Sequence, residues 1–311
     1  MAKKINKYLA DWLKINRFAP KYSMMKNKLI LVSGLLMFAY ACGSGEEKQE
    51  IAAIEEQETV DAANVNYNIP SPSEQFALIS KMDAVKNTKI LHDPALADKY
   101  SNSSQKALNF GVYTADIAYL TSFNETNKYL SYFGKLEKLG SDIGVAQVFG
   151  TELGELAKKW DGNADSLFKL SDDIYNRTFQ RLIEIEKGDE LSLMLVGGWI
   201  ESMHLMLGSS KGFGKSPKLD QALADQKLVA ENLLEFLVSY QDNEAVKEYS
   251  AAIEQVLKVY EQMDCSTGET KVQNSNGKLT FSGGDNCKMT QKCFDALAKK
   301  ITEIRTKIIT A

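Results

Sequence analysis

Two acidic residues sit inside otherwise apolar stretches, and they are where side-chain chemistry would be most unusual. Asp116 lies between Val112-Tyr113 and Ile117-Tyr119, and Glu201 lies between Trp199-Ile200 and Met203-Leu205. A carboxylate buried alone is very costly, so each needs a partner. Two that share a site could do acid–base work at shifted pKa. Glu201 also opens a Glu-x-x-His spacing with His204, which places both side chains on one helix face. With Tyr113 one turn before Asp116, the candidate buried polar site is Tyr113, Asp116, Glu201 and His204. The simpler reading is that each carboxyl is hydrogen-bonded for packing specificity. The alternative is an enzyme using Asp116 and Glu201, with or without a metal.

The rest of the chemical inventory is thin. Helical di-metal sites use Glu-x-x-His twice with two further Glu residues. The second of only 2 histidines is His92, in Leu91-His-Asp-Pro94, with no such partner, so a di-iron bundle fails on ligand count. No metal or cofactor is expected. There is no GxSxG nucleophile motif. Gly214-Lys-Ser216 ends like a phosphate loop, but Ser209 stands where the first glycine should be, and the stretch follows a helix. Asp161-Gly-Asn-Ala-Asp165 lacks the closing ligands of a calcium loop, so helix capping by Asp161 or Asn163 is expected instead. Asp220, Asp225 and Glu231 read as a solvated helix face. Phe110, Tyr113, Tyr119, Phe123, Tyr129, Tyr132 and Phe133 fall at helical spacing, which reads as a core stripe rather than a recognition face.

The elements that must position these residues are helical. The 311 residues are 44% hydrophobic and 25% charged, a globular mix that excludes a wholly disordered chain. From Pro70 onward the dominant period is 3.6. Ser73, Glu74 and Gln75 can open a helix whose stripe is Phe76, Ile79, Met82 and Ala84-Val85. Further helices are expected over 104–122, 126–139, 144–159, 163–186, 190–207, 218–240, 243–263 and 288–309, with Gly140, Gly188 and Gly208 as stops. Gly111 inside an apolar helix implies close approach to a neighbour. The fold class is all-α, a multi-helix bundle of about eight to ten helices. Asn274-Ser-Asn-Gly277 between β-prone runs adds a small β-hairpin near the C-terminus, over 269–283. Cys265, Cys287 and Cys293 bracket it. Cys265–Cys287 would staple its base, worth about 3 kcal/mol in the chain-entropy model. Cys265–Cys293 is the other sensible pairing.

The N-terminal 41 residues carry eight Lys/Arg and one acid, which leaves 29 basic and 40 acidic residues, a net of −11, in the remainder. That balance argues against nucleic acid as a partner. Lys26 and Lys28 precede a short apolar run, 29–41, and then Cys42. The run suits a signal peptide better than a membrane span. Ala39-Tyr-Ala41-Cys42 resembles a bacterial lipoprotein signal, although the usual Leu three residues before the Cys is missing. The resemblance implies cleavage before Cys42, lipidation of its thiol, and a stable membrane anchor. A normal signal would begin at Met24 or Met25, so residues 1–23 read as an over-long gene start. Domain organisation follows: 1–41 extension and signal, 42–70 acidic tether, 71–311 helical domain. Glu46-Glu47 is similar to a minimal surface-export signal of Bacteroidetes lipoproteins, and Asp165-Ser166-Leu167 to the short O-glycosylation motif of exported Bacteroidetes proteins.

Ile69-Pro-Ser-Pro-Ser73, Lys106-Ala-Leu-Asn-Phe-Gly-Val-Tyr-Thr-Ala-Asp-Ile-Ala-Tyr119, Gly197-Gly-Trp-Ile-Glu201 and Ile301-Thr-Glu-Ile-Arg-Thr-Lys307 together resemble a Bacteroidetes family of helical lipoproteins. The resemblance runs from about residue 69 to the end. It implies an all-helical body and an envelope location, and carries no catalytic residue. The expectation is therefore a lipoprotein held on the outer membrane, periplasmic or surface-facing. It would be a non-enzymatic binding or assembly module whose partner is an envelope protein or a small ligand.

Overall fold

Helices that are apolar on every face belong in the middle of a bundle. Two segments meet that description. α2 (Ser103–Ser122) and α6 (Gly188–Gly208) are buried along most of their length and pack on each other more extensively than any other pair. The computed structural model describes residues 68–266, 271–275, 278–282 and 286–310. The expected signal segment, Cys42 and the expected tether up to residue 67 lie outside the described residues. By length and composition α6 could cross a membrane, yet it is the enclosed core helix of the bundle.

The close packing of this central pair has a specific cause. A Cβ on Gly111 would collide with the Met194 carbonyl and the Gly198 amide, and a Cβ on Gly197 with the Leu108 carbonyl. Glycines at the crossing let the two backbones touch. α2 is started by a capping box, in which the Asn102 side chain accepts from the Gln105 amide at 2.9 Å and Gln105 reaches back.

Amphipathic helices cover the pair. α1 (Pro72–Phe76), α3 (Tyr129–Asp142) and α5 (Ala164–Glu184) lie against α2. α7 (Pro217–Val238), α8 (Glu244–Tyr260) and α9 (Gln291–Thr310) lie against α6. The short α4 (Thr151–Lys159) packs on α5, giving nine α-helices among the described residues. Three 3₁₀ turns, Ile79–Lys81, Pro94–Lys99 and Ala146–Phe149, complete the helical part.

Between α8 and α9 the chain forms two short antiparallel strand pairs. β2 (Lys271–Ser275) and β3 (Lys278–Ser282) pair antiparallel with Ser275 opposite Lys278, while the expected Asn-Gly turn itself lies outside the described residues. Beneath it β1 (Asp264–Ser266) pairs with β4 (Asn286–Lys288), and Cys265 opposite Cys287 forms the disulfide. Cys293 is a free, buried thiol on α9.

Several boundaries differ from the periodicity. The expected helix through Val85 stops at Phe76, and after the 3₁₀ turn Asp83 adopts φ +58°. The expected helix 144–159 is broken, because Gly144 takes φ +97° and Gly150 is extended ahead of α4. Gly140 falls within α3 rather than just past it. Gly188 begins a helix instead of ending one. A side chain there would run into the Tyr240 ring, and the stop before it is Glu186 at φ +57°, with Lys187 N–H donating to the Leu182 carbonyl at 2.8 Å.

Candidate functional site

The structure brings Asp116 and Glu201 together. Both are 0% exposed, on the packed pair α2 and α6, and near enough that each acts on the other's titration. The partner they require comes from a third helix. Arg305 on α9 donates to Glu201 through Nε at 2.5 Å and through an NH2 nitrogen at 2.9 Å. The same NH2 group donates to the Ile90 carbonyl at 3.1 Å. This is the bidentate fork that a guanidinium makes with a carboxylate.

Asp116 is held differently. One oxygen accepts from the His92 amide at 3.2 Å, and the other, Oδ1, meets no hydrogen-bond donor. Oδ1 is satisfied if Asp116 carries a proton and donates it to Glu201. Burial and the neighbouring Glu201 charge both push the Asp116 pKa well up, against the pull of Arg305. Burial also raises Glu201, but the Arg305 hydrogen bonds and charge oppose it. Burial opposes the Arg305 charge too, yet the Glu201 contact raises its pKa overall. Of the two carboxyls, Asp116 is therefore the one pushed furthest towards its neutral form, and Glu201 is the one paired with Arg305.

Around this pair, side chains of the bundle hold one irregular strap, residues 82–93, by its backbone. Val85 N–H donates to the Ser209 carbonyl at 2.8 Å, and Asn87 N–H to the Tyr119 hydroxyl at 2.8 Å. Tyr119 in turn bonds Ser209 Oγ at 2.8 Å. Tyr132 donates to the His92 carbonyl and Tyr113 to the Asp93 carbonyl, both at 2.9 Å. Within 82–93 the His92 side chain alone is fully buried. Its ring stacks on Tyr113 with centroids 5.2 Å apart and shares a 2.6 Å hydrogen bond with Tyr100.

The titration behaviour follows from enclosure. Burial, helped by the Arg305 charge, lowers His92 to about 4, and the same two causes lower His204 to about 4. Burial raises Tyr100 to about 12 and drives Tyr113 and Tyr132 up as well. The histidines are thus neutral and the tyrosines protonated at neutral pH.

All four residues expected from sequence belong to this neighbourhood, though their roles differ. Asp116 and Glu201 form its centre. Tyr113 holds the strap and stacks on His92. His204 is half-buried on α6 beside Ile90, and no group of metal-ligating residues occurs among the described residues. Sequence reasoning missed Arg305, His92, Tyr100 and Tyr132. Arg305 was detectable, because it falls on the same helix face as Ile301, Ile304 and Ile308, which are buried. His92 and Tyr100 carried no such signal, since neither the irregular strap nor the end of the 3₁₀ turn after it follows a helical period.

Three other readings are settled by position. Phe110, Tyr113, Tyr119, Tyr129, Tyr132 and Phe133 are buried core. Asp220, read as solvated, is buried and accepts from the Gly214 amide at 2.8 Å, which ties down the glycine-rich loop. Asn163 caps α5, as expected. Chemically, the arrangement at Asp116 and Glu201 is a proton-sharing acid pair neutralised by one guanidinium and closed over by the strap. No known protein-family model matches the chain, and neither a curated protein nor a solved structure matches it significantly.

Proposed function

We propose that the chain is an exported lipoprotein, cut before Cys42 and acylated there, whose helical body serves on the outer membrane as a non-enzymatic binding or assembly module. The observation that supports the non-enzymatic part is the enclosure of Asp116 and Glu201, both 0% exposed. An acid–base enzyme needs its carboxyls within reach of a substrate, whereas here the polar groups hold Ile90, His92 and Asp93 of the chain itself. Export rests on the sequence from Lys26 to Cys42, and the Cys265–Cys287 disulfide fits an oxidising compartment. Placement on the outer membrane, and kinship with the helical lipoproteins of Bacteroidetes, rest on the sequence motifs alone.

The test is the intact mass of the native N-terminus with membrane fractionation, for the natural chain and for Cys42→Ala. The expected result is acyl mass on a chain beginning at Cys42, with both the mass and membrane attachment lost in the variant. An unmodified chain starting elsewhere would remove the lipoprotein reading. Crosslinking in intact cells then identifies the envelope partner of the module.

A further inference from the structure

Away from the buried cluster, three elements converge on a half-open cavity of about 270 Å³. Ala77 from the end of α1, Thr121 and Ser122 from the last turn of α2, Asn124 just beyond it, and Asp165 and Phe168 from the start of α5 line it. The donors and acceptors of this lining are unequal. The Thr121 hydroxyl already donates to the Ile117 and Ala118 carbonyls, at 3.0 and 3.1 Å, and the Ser122 hydroxyl to the Tyr119 carbonyl at 2.8 Å. Each keeps only acceptor capacity. Asp165 and Asn124 are exposed, and within the protein no side-chain hydrogen bond engages the Asp165 carboxylate or the Asn124 amide, so a ligand would replace their water. The cavity thus offers many acceptors and one donor group, the Asn124 NH₂.

That imbalance selects the ligand. An anion would meet an unneutralised carboxylate and no lysine or arginine in the lining. An apolar ligand would strand the free polar groups. A molecule rich in hydroxyl donors satisfies them, and the Phe168 ring offers a flat apolar surface for a C–H face. Asp165 lies in the first turn of α5, where the helix dipole already favours its negative charge, so a neutral donor suffices. The volume is below the ~300–1,000 Å³ of sites for drug-sized molecules, which limits the ligand to about one ring.

We propose that this cavity binds a neutral polyhydroxylated ligand the size of one sugar ring, with Asp165 accepting from its hydroxyls, Asn124 donating and accepting, and Phe168 against its C–H face. The proposal rests on the binding-module half of the reading above and needs no anchor. The mass of the N-terminus and ligand binding can therefore fail separately.

The test is saturation-transfer NMR on the full chain in a sugar-free detergent. The probes are methyl α-D-mannopyranoside, methyl β-D-galactopyranoside and N-acetyl-D-glucosamine, with choline as the cationic comparison. The expected result is low-millimolar binding of at least one pyranoside. Asp165→Ala should weaken it by about tenfold or more, and Phe168→Ala should weaken it too. Asn124→Gly removes the amide while tolerating the φ of +57° at that position, and should also weaken binding. Helical circular dichroism and the melting temperature should stay near those of the natural chain. No binding by any pyranoside overturns the proposal, as does pyranoside binding unaffected by the three substitutions. Choline binding that disappears in Asp165→Ala, without pyranoside binding, would identify a cation site instead.

Discussion

Replacing Arg305 by Met tests whether the Glu201–Arg305 pair is what permits two carboxyls at the centre of the bundle. Met keeps much of the aliphatic volume of Arg and removes the guanidinium. The substitution deletes two charge-assisted bonds to Glu201 and one to the Ile90 carbonyl, and strands a carboxyl that is 0% exposed beside Asp116. Removing one partner of a buried pair costs about 3–5 kcal/mol, because the other charge is left uncompensated. The Arg305 side chain is 12% exposed, so solvent screens little of this, and a loss of about 3 kcal/mol is expected at pH 7. The variant must protonate Glu201 in the fold, which gives the loss a pH signature. A carboxyl whose folded pKa lies above its unfolded value stabilises below the unfolded value and loses that contribution as pH rises through the folded one. Stability of Arg305→Met should therefore fall more steeply between about pH 5 and 8 than that of the natural chain, approaching about 1.4 kcal/mol per unit for one proton. Adding Glu201→Gln should restore at least half of the loss and remove the extra pH slope. Urea denaturation followed by circular dichroism measures all three proteins. A loss under about 1 kcal/mol in the single variant, or strict additivity in the double, would refute the reasoning.

Three further outcomes follow from the same geometry. Asp116→Asn mimics the protonated acid, with its oxygen accepting from the His92 amide; it should match the natural stability near pH 4, where an unfolded carboxyl is about half protonated, and exceed it by a growing margin as pH rises above that, as read by thermal melting. His92 is buried, and its pKa is depressed from 6.5 to about 4, so stability should drop as pH falls from about 6.5 to 4, by about 3 kcal/mol for this group, and His92→Gln should reduce the drop in acid urea titrations. Gly197→Ala drives a methyl into the Leu108 carbonyl and should cost more than about 2 kcal/mol, while Gly134→Ala, with nothing near its Cβ position, should gain about 0.5–1 kcal/mol in the same denaturation assay.

What was legible in the sequence is what depends on period and local chemistry. α2 and α6 read as apolar throughout and occupy the centre. Gly111 read as a close approach and meets the backbone of α6. Asn163 was one of two candidate caps, Asn-Gly between β-prone runs read as a hairpin, and Cys265–Cys287 was one of the two pairings considered. Position in an apolar run was enough to single out Asp116 and Glu201. Segments governed by tertiary contacts were not legible. Phe76, Ile79, Met82 and Val85 have helical spacing, yet Val85 is exposed, and the chain from Asp83 onward follows partners far along the sequence. Helix stops were misassigned for a related reason. Asn124 and Glu186 hold left-handed positions that glycine would take more easily, while Gly188 is kept free of a side chain by Tyr240.

The strap explains why a core with this much apolar surface keeps two acids and a guanidinium. Residues 82–93 bury one whole side chain, His92, and pack Met82, Ala84, Ile90 and Leu91 only partly against the core, so apolar burial holds them weakly. Their backbone amides and carbonyls still need partners, and no strand or helix supplies them. The bundle supplies them from α2, α3, α6 and α9 through Asp116, Tyr113, Tyr119, Tyr132, the Ser209 carbonyl and Arg305. Asp116 can serve only if it is buried, which raises its pKa, and Glu201 can accept its proton only if Arg305 neutralises Glu201. The three ionisable groups are one unit, and the contacts of that unit end on the strap. Because these contacts are directional bonds rather than packed surface, the strap should open at lower free energy than the helices beneath it. The amides of Val85, Asn87 and His92 should therefore exchange with solvent faster than those of α2. Arg305→Met should speed them further while α2 stays protected, which native-state hydrogen exchange resolves residue by residue. Equal protection of strap and α2 would mean that the strap is part of the global unfolding unit.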